Sequence, residues 1–396
     1  MATNQFKLPS PYIRTQLPPP EEDAVYNNHI KTAKFADSEC REFGVAIFGI
    51  GRAGTIHLLN LIGNRRANIL YIVDDDVNKL ENIKKSYKRC LSETSFLTSK
   101  DMNKVFVDSK VDFVICASPT YTHEVIVRSA LEHHKAVFCE KPVAVTLEET
   151  KALIDLSKKV NTPLLSAFKQ KLTSQDLIFF RRFDDSYSKI KEKVRQGEVG
   201  KVLTVKVCAR DSPLPSIDYL KTSDGIFRDC AVHDIDQIIS VLGEYPNKVS
   251  VFANANIPEI RNINDVDTVS IIMAFDSGAL GIIDISRQCV YGYDQRLEVF
   301  GEKGMIKAEN KCPMQNLEEY KPEMTKKSPI YYSFASRYQD AYKRELEHFM
   351  NVLEGKDKLL ITGQDLLNVF KIAIACENSW KTGQTVPLTW SKTELQ

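Results

Sequence analysis

The chain has 396 residues, 43% of them apolar, and its 53 Lys+Arg against 52 Asp+Glu leave a net charge of +1. That length suits two domains, and the charge balance excludes a broad basic face for nucleic acid or for an anionic membrane. No run nears the roughly 18 apolar residues of a membrane span, the N-terminus lacks the apolar stretch of a secretory signal, and nine cysteines without a CxxC exclude a disulfide framework or zinc ribbon and place reduced thiols in the cytoplasm.

Residues 1–42 are polar and carry Pro9, Pro11, Pro18, Pro19 and Pro20. They hold too little apolar area to offset their ordering entropy, which predicts a mobile tail. A short docking arm through Tyr12, Ile13 and Leu17 is the other reading. From residue 43 the texture changes. Apolar runs at 43–48, 69–73, 111–117, 136–139 and 163–167 alternate with helical patterns through Leu58–Ile62, 79–89, 122–133 and 147–159. Continuous apolar strands between amphipathic helices predict a Rossmann-type parallel sheet covered on both faces, over 43–165.

Residues 166–396 read differently. Strands at 202–208, 248–253, 267–275, 279–287 and 296–300 are separated by hairpin turns such as Asp276-Ser-Gly278, and helices at 336–353 and 363–380 close the chain. This predicts an α+β domain on a large, mostly antiparallel sheet. One apolar face left open on such a sheet would need covering, so a homo-oligomer through it is expected.

Gly49-Ile-Gly51-Arg52-Ala53-Gly54 joins the first strand to the first helix, where glycines permit a tight turn and close approach of a pyrophosphate to a helix N-terminus. Asp74 ends the second strand, where a carboxylate accepts bonds from ribose hydroxyls. A dinucleotide site follows. The acid run 74–76 repels the extra phosphate of NADP and favours NAD, although Arg52 could offset it and Asp75 and Asp76 could form a solvated loop.

In an open parallel sheet, ligands sit beyond the carboxyl ends of the strands. There lie Ser118, Thr120 and His123 after the third apolar strand, and Glu140 and Lys141 after the fourth. A desolvated lysine could donate to a developing alkoxide; a surface lysine with its head in water is the bland alternative. Further on, regular helix geometry over 225–242 puts Asp229, His233 and Asp236 in one stripe, with Phe227, Ala231, Ile235, Ile238 and Leu242 opposite. The stripe is open to three readings: a solvated face, an Asp229–His233 proton-transfer dyad, or, less favoured for want of further ligands, a metal site.

Taken together, the glycine turn, Ser118-Pro-Thr-Tyr-Thr-His123, Cys139-Glu-Lys-Pro142 and Asp229-x-x-x-His233-Asp-x-Asp236 resemble the Gfo/Idh/MocA oxidoreductase family over about residues 43–390. The nearest texture is that of its inositol 2-dehydrogenases. The resemblance implies NAD(P)-dependent hydride transfer at a secondary alcohol of a sugar or cyclitol. His233 would take the hydroxyl proton, Asp229 would assist, and Lys141 would hold the oxygen; Arg181, Asp211 and Tyr293 match substrate-contacting positions, and no metal is implied. The chain departs from the family pattern by an insertion at 169–179 beside the cleft, and by Ser223-Asp224-Gly225 where two glycines are common, so that Asp224 would cap the helix or add a carboxylate near substrate. A non-catalytic NAD sensor of the same fold, or redox-assisted glycoside cleavage, are the competing functions.

Overall fold

A computed structural model describes residues 41–140, 143–166, 180–221, 223–314, 317–360 and 363–394. Six strands form the first sheet: β1 (Phe43–Phe48), β2 (Ala67–Val73), β3 (Ser95–Leu97), β4 (Phe113–Cys116), β5 (Ala136–Cys139) and β6 (Leu164–Ser166). Their order is β3-β2-β1-β4-β5-β6, and every pairing is parallel. All residues of β1, β4 and β5 are buried, as continuous apolar runs require of strands covered on both faces. The helices between them are α1 (Arg52–Ile62), α2 (Val77–Ser86), α3 (His123–Glu132) and α4 (Leu147–Lys159). α4 starts at a capping box in which Thr146 and Glu149 each accept from the other's backbone amide. The short edge strand β3 carries too few apolar residues to register in the sequence, and α2 ends at Ser86 rather than 89.

After α5 (Asp185–Arg195) comes the second sheet: β7 (Val202–Arg210), β8 (Lys248–Asn254), β9 (Thr268–Ala274), β10 (Leu280–Ser286), β11 (Asp294–Gly301) and β12 (Gly304–Ala308). A separate hairpin, β13 (Glu318–Lys321) and β14 (Met324–Lys327), stands apart, while β15 (Val386–Pro387) extends the sheet to the order β12-β11-β7-β10-β9-β8-β15. All its pairings are antiparallel except the central β7–β10 pair, which is parallel. Burial alternates along the strands, so that Val205, Val207, Val249, Val251, Ile271, Ile283 and Val299 face inward. Against that face lie α6 (Val232–Leu242) and α8 (Gly363–Thr382), with α7 (Gln339–Leu353) between them in sequence.

The expected helix 336–353 is broken at Tyr338, and its main part, α7, belongs by packing to the first sheet. Leu346, Phe349 and Met350 share a core with Phe43, Ile47, Phe113 and Phe138, and the Phe349 ring lies edge-on to Phe113 at 5.3 Å. Among the described residues no helix is long and apolar enough to cross a membrane. The eight described cysteines are all free thiols.

Candidate functional site

At the end of β1 the chain turns through Gly49, whose φ of 88° suits glycine. A Cβ there would lie 2.4 Å from the Ser118 backbone, and one on Gly54 would lie 1.9 Å from the Gly49 carbonyl. Packing therefore demands both glycines. Gly51 is another matter: a Cβ there would meet nothing within 4 Å. It stands at the N-cap of α1 with no side chain capping the helix, so the first-turn amides and the open space above Gly51 suit a phosphate.

Asp74 bridges this turn to β2, accepting from the Ile50 amide at 2.7 Å and the Asp76 amide at 2.9 Å. Asp75 accepts from the Ser99 amide at 2.8 Å, which holds its carboxyl below the usual range. Asp76 caps α2 through the amides of Asn78 and Lys79. Each carboxylate of the run is thus bound to backbone, while Asp75 and Asp76 remain exposed to solvent. Beside it opens a cavity of about 290 Å³, walled by Phe48, Val73, Met102, Val125 and Ile126 and edged by Gly49, Asp74, Asp75 and Ser118. An apolar slot with an acidic rim suits an adenosine.

Other expected cofactor residues scatter. Arg52 lies with its guanidinium 4.8 Å over the Phe334 ring and lines a second, larger cavity, away from the ribose position considered for it. Ala53, Thr120 and Glu140 line neither cavity. Glu140 is buried against His57 Nε2, and His123 is turned into the core. Lys141 and the insertion 169–179 lie outside the described residues.

The larger cavity, about 510 Å³, brings together Arg181, Asp211, Asp229, His233 and Tyr293 from four separate segments. Asp211 follows β7, Tyr293 precedes β11, and Arg181 sits in a one-turn helix at 180–183. Asp229 and His233 do not share one regular helix. Residues Phe227–Ala231 form a π-helical turn that leads into α6, and such turns gather at functional positions. The rotation changes the expected stripe. Asp236 leaves it for a two-point ion pair with Arg182 (2.9 Å to Nε) and does not line the cavity. Asp234 takes its place, paired with Arg181. The three-residue metal set is therefore not assembled, and α6 is buried all round from Val232 to Val241, which overturns the solvated-face reading. Asp224 does not line the cavity, and Asp265 Oδ1 accepts from the Ile226 amide at 3.0 Å.

Both Asp229 oxygens are engaged. Arg287 Nη1 donates to Oδ2 at 2.6 Å, and the Tyr219 hydroxyl donates to Oδ1 at 3.0 Å. Arg287 is 1% exposed and also lies 3.6 Å from Asp265. Cys230 Sγ donates to Asp211 Oδ2 at 3.4 Å. Burial pushes the Asp234 carboxyl up to about 6 despite Arg181, and raises Asp211 against Arg287. Sequence reasoning missed Arg287, Tyr219 and Cys230. A lone arginine after an alternating strand carries no local signature of the carboxylate it meets 58 residues away.

Residues 43–168 match the profile described as "Oxidoreductase family, NAD-binding Rossmann fold", and residues 187–307 match the "GFO/IDH/MocA C-terminal domain". The chain belongs to the Gfo/Idh/MocA oxidoreductase family. Among curated relatives of this family, myo-inositol 2-dehydrogenase of Thermotoga maritima is 34% identical over 348 residues, 87% of this chain and 98% of the relative. The scyllo-inositol 2-dehydrogenase (NAD(+)) of Bacillus subtilis is 32% identical, covering 87% and 95%. Among solved structures, a putative myo-inositol dehydrogenase from Sinorhizobium meliloti superposes with a TM-score of 0.78 at 29% identity, over 88% of this chain and all of that one. The Gfo/Idh/MocA assignment thus covers both sheets, and the open Gly51 turn fits the family's nicotinamide dinucleotide.

Proposed function

We propose that this protein oxidises a secondary hydroxyl of an inositol or similar cyclitol to the ketone. The observation that carries the reading is the juxtaposition of His233 and Asp229 with Arg181, Asp211, Asp234 and Tyr293 around one cavity of about 510 Å³. Closely set donors and acceptors suit a ring bearing a hydroxyl on each carbon, and the inositol dehydrogenases named above support that substrate class. Bound NAD supplies the hydride acceptor, and the acid run 74–76 disfavours NADP there. His233 takes the hydroxyl proton as the carbon loses its hydride. Asp229, fixed by Arg287 and Tyr219, orients and stabilises the imidazolium, and Lys141 holds the oxygen. Gly49, Gly51, Gly54, Asp74 and Ser118 form the cofactor cradle, and Arg181, Asp211 and Tyr293 hold substrate hydroxyls.

In this reading residues 1–42 are a tail, 43–165 the dinucleotide domain and 166–396 the substrate and assembly domain, with the protein working in the cytoplasm. Copies assemble through the outer face of the second sheet, where Phe252, Ile272, Leu280, Phe300 and Met305 are exposed although the strands alternate regularly. NADH absorbance with a panel of cyclitols and sugars, and the reverse reaction on inosose, test the activity. Micromolar NAD binding without turnover on any of them would move the protein to the sensor class.

A further inference from the structure

Cys116 and Cys139 end neighbouring parallel strands and are Cα partners in the β4–β5 register, so their side chains leave the same face of the sheet. His123, the first residue of α3, comes down onto them. One donor atom from each lies within 4.8 Å of the others, and all three residues are buried. The orientation of the imidazole is decisive. Its Nε2 lies 2.7 Å from the Ser118 carbonyl, which can only accept, so Nε2 carries the proton and Nδ1 presents a lone pair. That Nδ1 stands 3.6 Å from Cys139 Sγ. A tetrahedral ion about 2.3 Å from sulfur and about 2.0 Å from nitrogen spaces such a pair about 3.5 Å apart.

We propose that Cys116, His123 and Cys139 form a buried site for one thiophilic divalent cation of the Zn²⁺ class. Two thiolates and a neutral imidazole cancel the charge of a divalent ion, whereas a monovalent ion would leave a net charge in the core. The bond from Nε2 to a backbone carbonyl is the outer support that metal-binding histidines use. Ser118 Oγ, 3.7 Å from Cys116 Sγ, offers an oxygen for the fourth position. Binding exchanges two thiol protons for the ion, with no change of oxidation state. The ligands come from the ends of β4 and β5 and the start of α3, so the ion would cross-link the segments that lead into Ser118 and Glu140.

The test uses the reduced full-length protein titrated with Co²⁺, and with Zn²⁺ to displace it. One equivalent should give a thiolate-to-cobalt charge-transfer band, release two protons and raise Tm. Cys116→Ala and Cys139→Ala should each abolish the band, while Cys90→Ser, which removes an exposed thiol, should leave it. Absence of the band, its survival in both alanine variants, or its loss in Cys90→Ser overturns the proposal. Should the alanine variants fail to fold, X-ray absorption of the Zn²⁺-loaded wild-type protein decides. Two sulfurs at about 2.3 Å with nitrogen at about 2.0 Å support the site, and a shell without sulfur overturns it.

Discussion

Around the smaller cavity, Asp74, Asp75 and Asp76 all accept from backbone amides of Ile50, Ser99, Asn78 and their neighbours. Around the larger cavity, Asp229 and Asp234 are instead neutralised by the side chains of Arg287 and Arg181, 58 and 53 residues away. Amides are present whatever the sequence, so the nucleotide end depends on backbone shape and tolerates many side chains. The larger cavity depends on individual partners in a dry interior, where one substitution strands a charge.

Arg287→Met tests that contrast most severely. It leaves Asp229 buried without its cation and should cost about 3–5 kcal/mol in denaturant unfolding; a loss below about 1 kcal/mol would show that the larger cavity is no more partner-dependent than the smaller. Next, His233→Ala and Lys141→Ala should each lower kcat/KM at least about a hundredfold while the fold survives. Wild-type rates in either variant would remove that residue from the proposed chemistry. At the glycine turn the contrast appears within five residues. Gly54→Ala drives a methyl into the Gly49 carbonyl and should destabilise by about 1–3 kcal/mol. Gly51→Ala should leave Tm unchanged yet weaken NAD binding about tenfold in a calorimetric titration, because only the ligand needs that space. Equal Tm losses would erase the distinction.

The dry interior is tested by pH at Glu345 on α7, fully buried and lacking a hydrogen-bond partner on either oxygen among the described residues. Burial, with Glu140 adding to it, raises its carboxyl well above the ordinary 4.5. The folded state therefore keeps a proton that the unfolded chain releases above about pH 4.5. Its contribution is intact below that pH and declines as pH rises toward the folded value, by up to about 1.4 kcal/mol per unit. Glu345→Gln should be more stable than wild type at pH 7 and nearly equal to it at pH 4, in paired urea melts. A constant difference across that range would show that Glu345 does not titrate in this way.

The same contrast explains what was legible. The parallel sheet and the glycine turn were readable because consecutive residues build them, and the alternating strands likewise announced the second sheet. The central parallel β7–β10 pair was not readable, since strand patterns carry no direction. The exchange of Asp236 for Asp234 at the cavity depended on a π-turn at 227–231, which periodicity at 100° per residue cannot show. Arg287 and Tyr219 reach Asp229 only through tertiary packing, which no local spacing encodes.

The packing of α7 under the first sheet has a temporal side. Phe349 seals a core whose strands end at Ser166, and a ribosome adding roughly 5–20 residues per second reaches it some ten to forty seconds after β6 is made. Through that interval the face is covered in part by Leu58 and Leu61 of α1 and Leu80 of α2, and it lacks the contribution of Leu346, Phe349 and Met350. The last helix of the first sheet's core is thus made only after strands β7–β12 of the second sheet, so completion of the first core waits on nearly the whole chain.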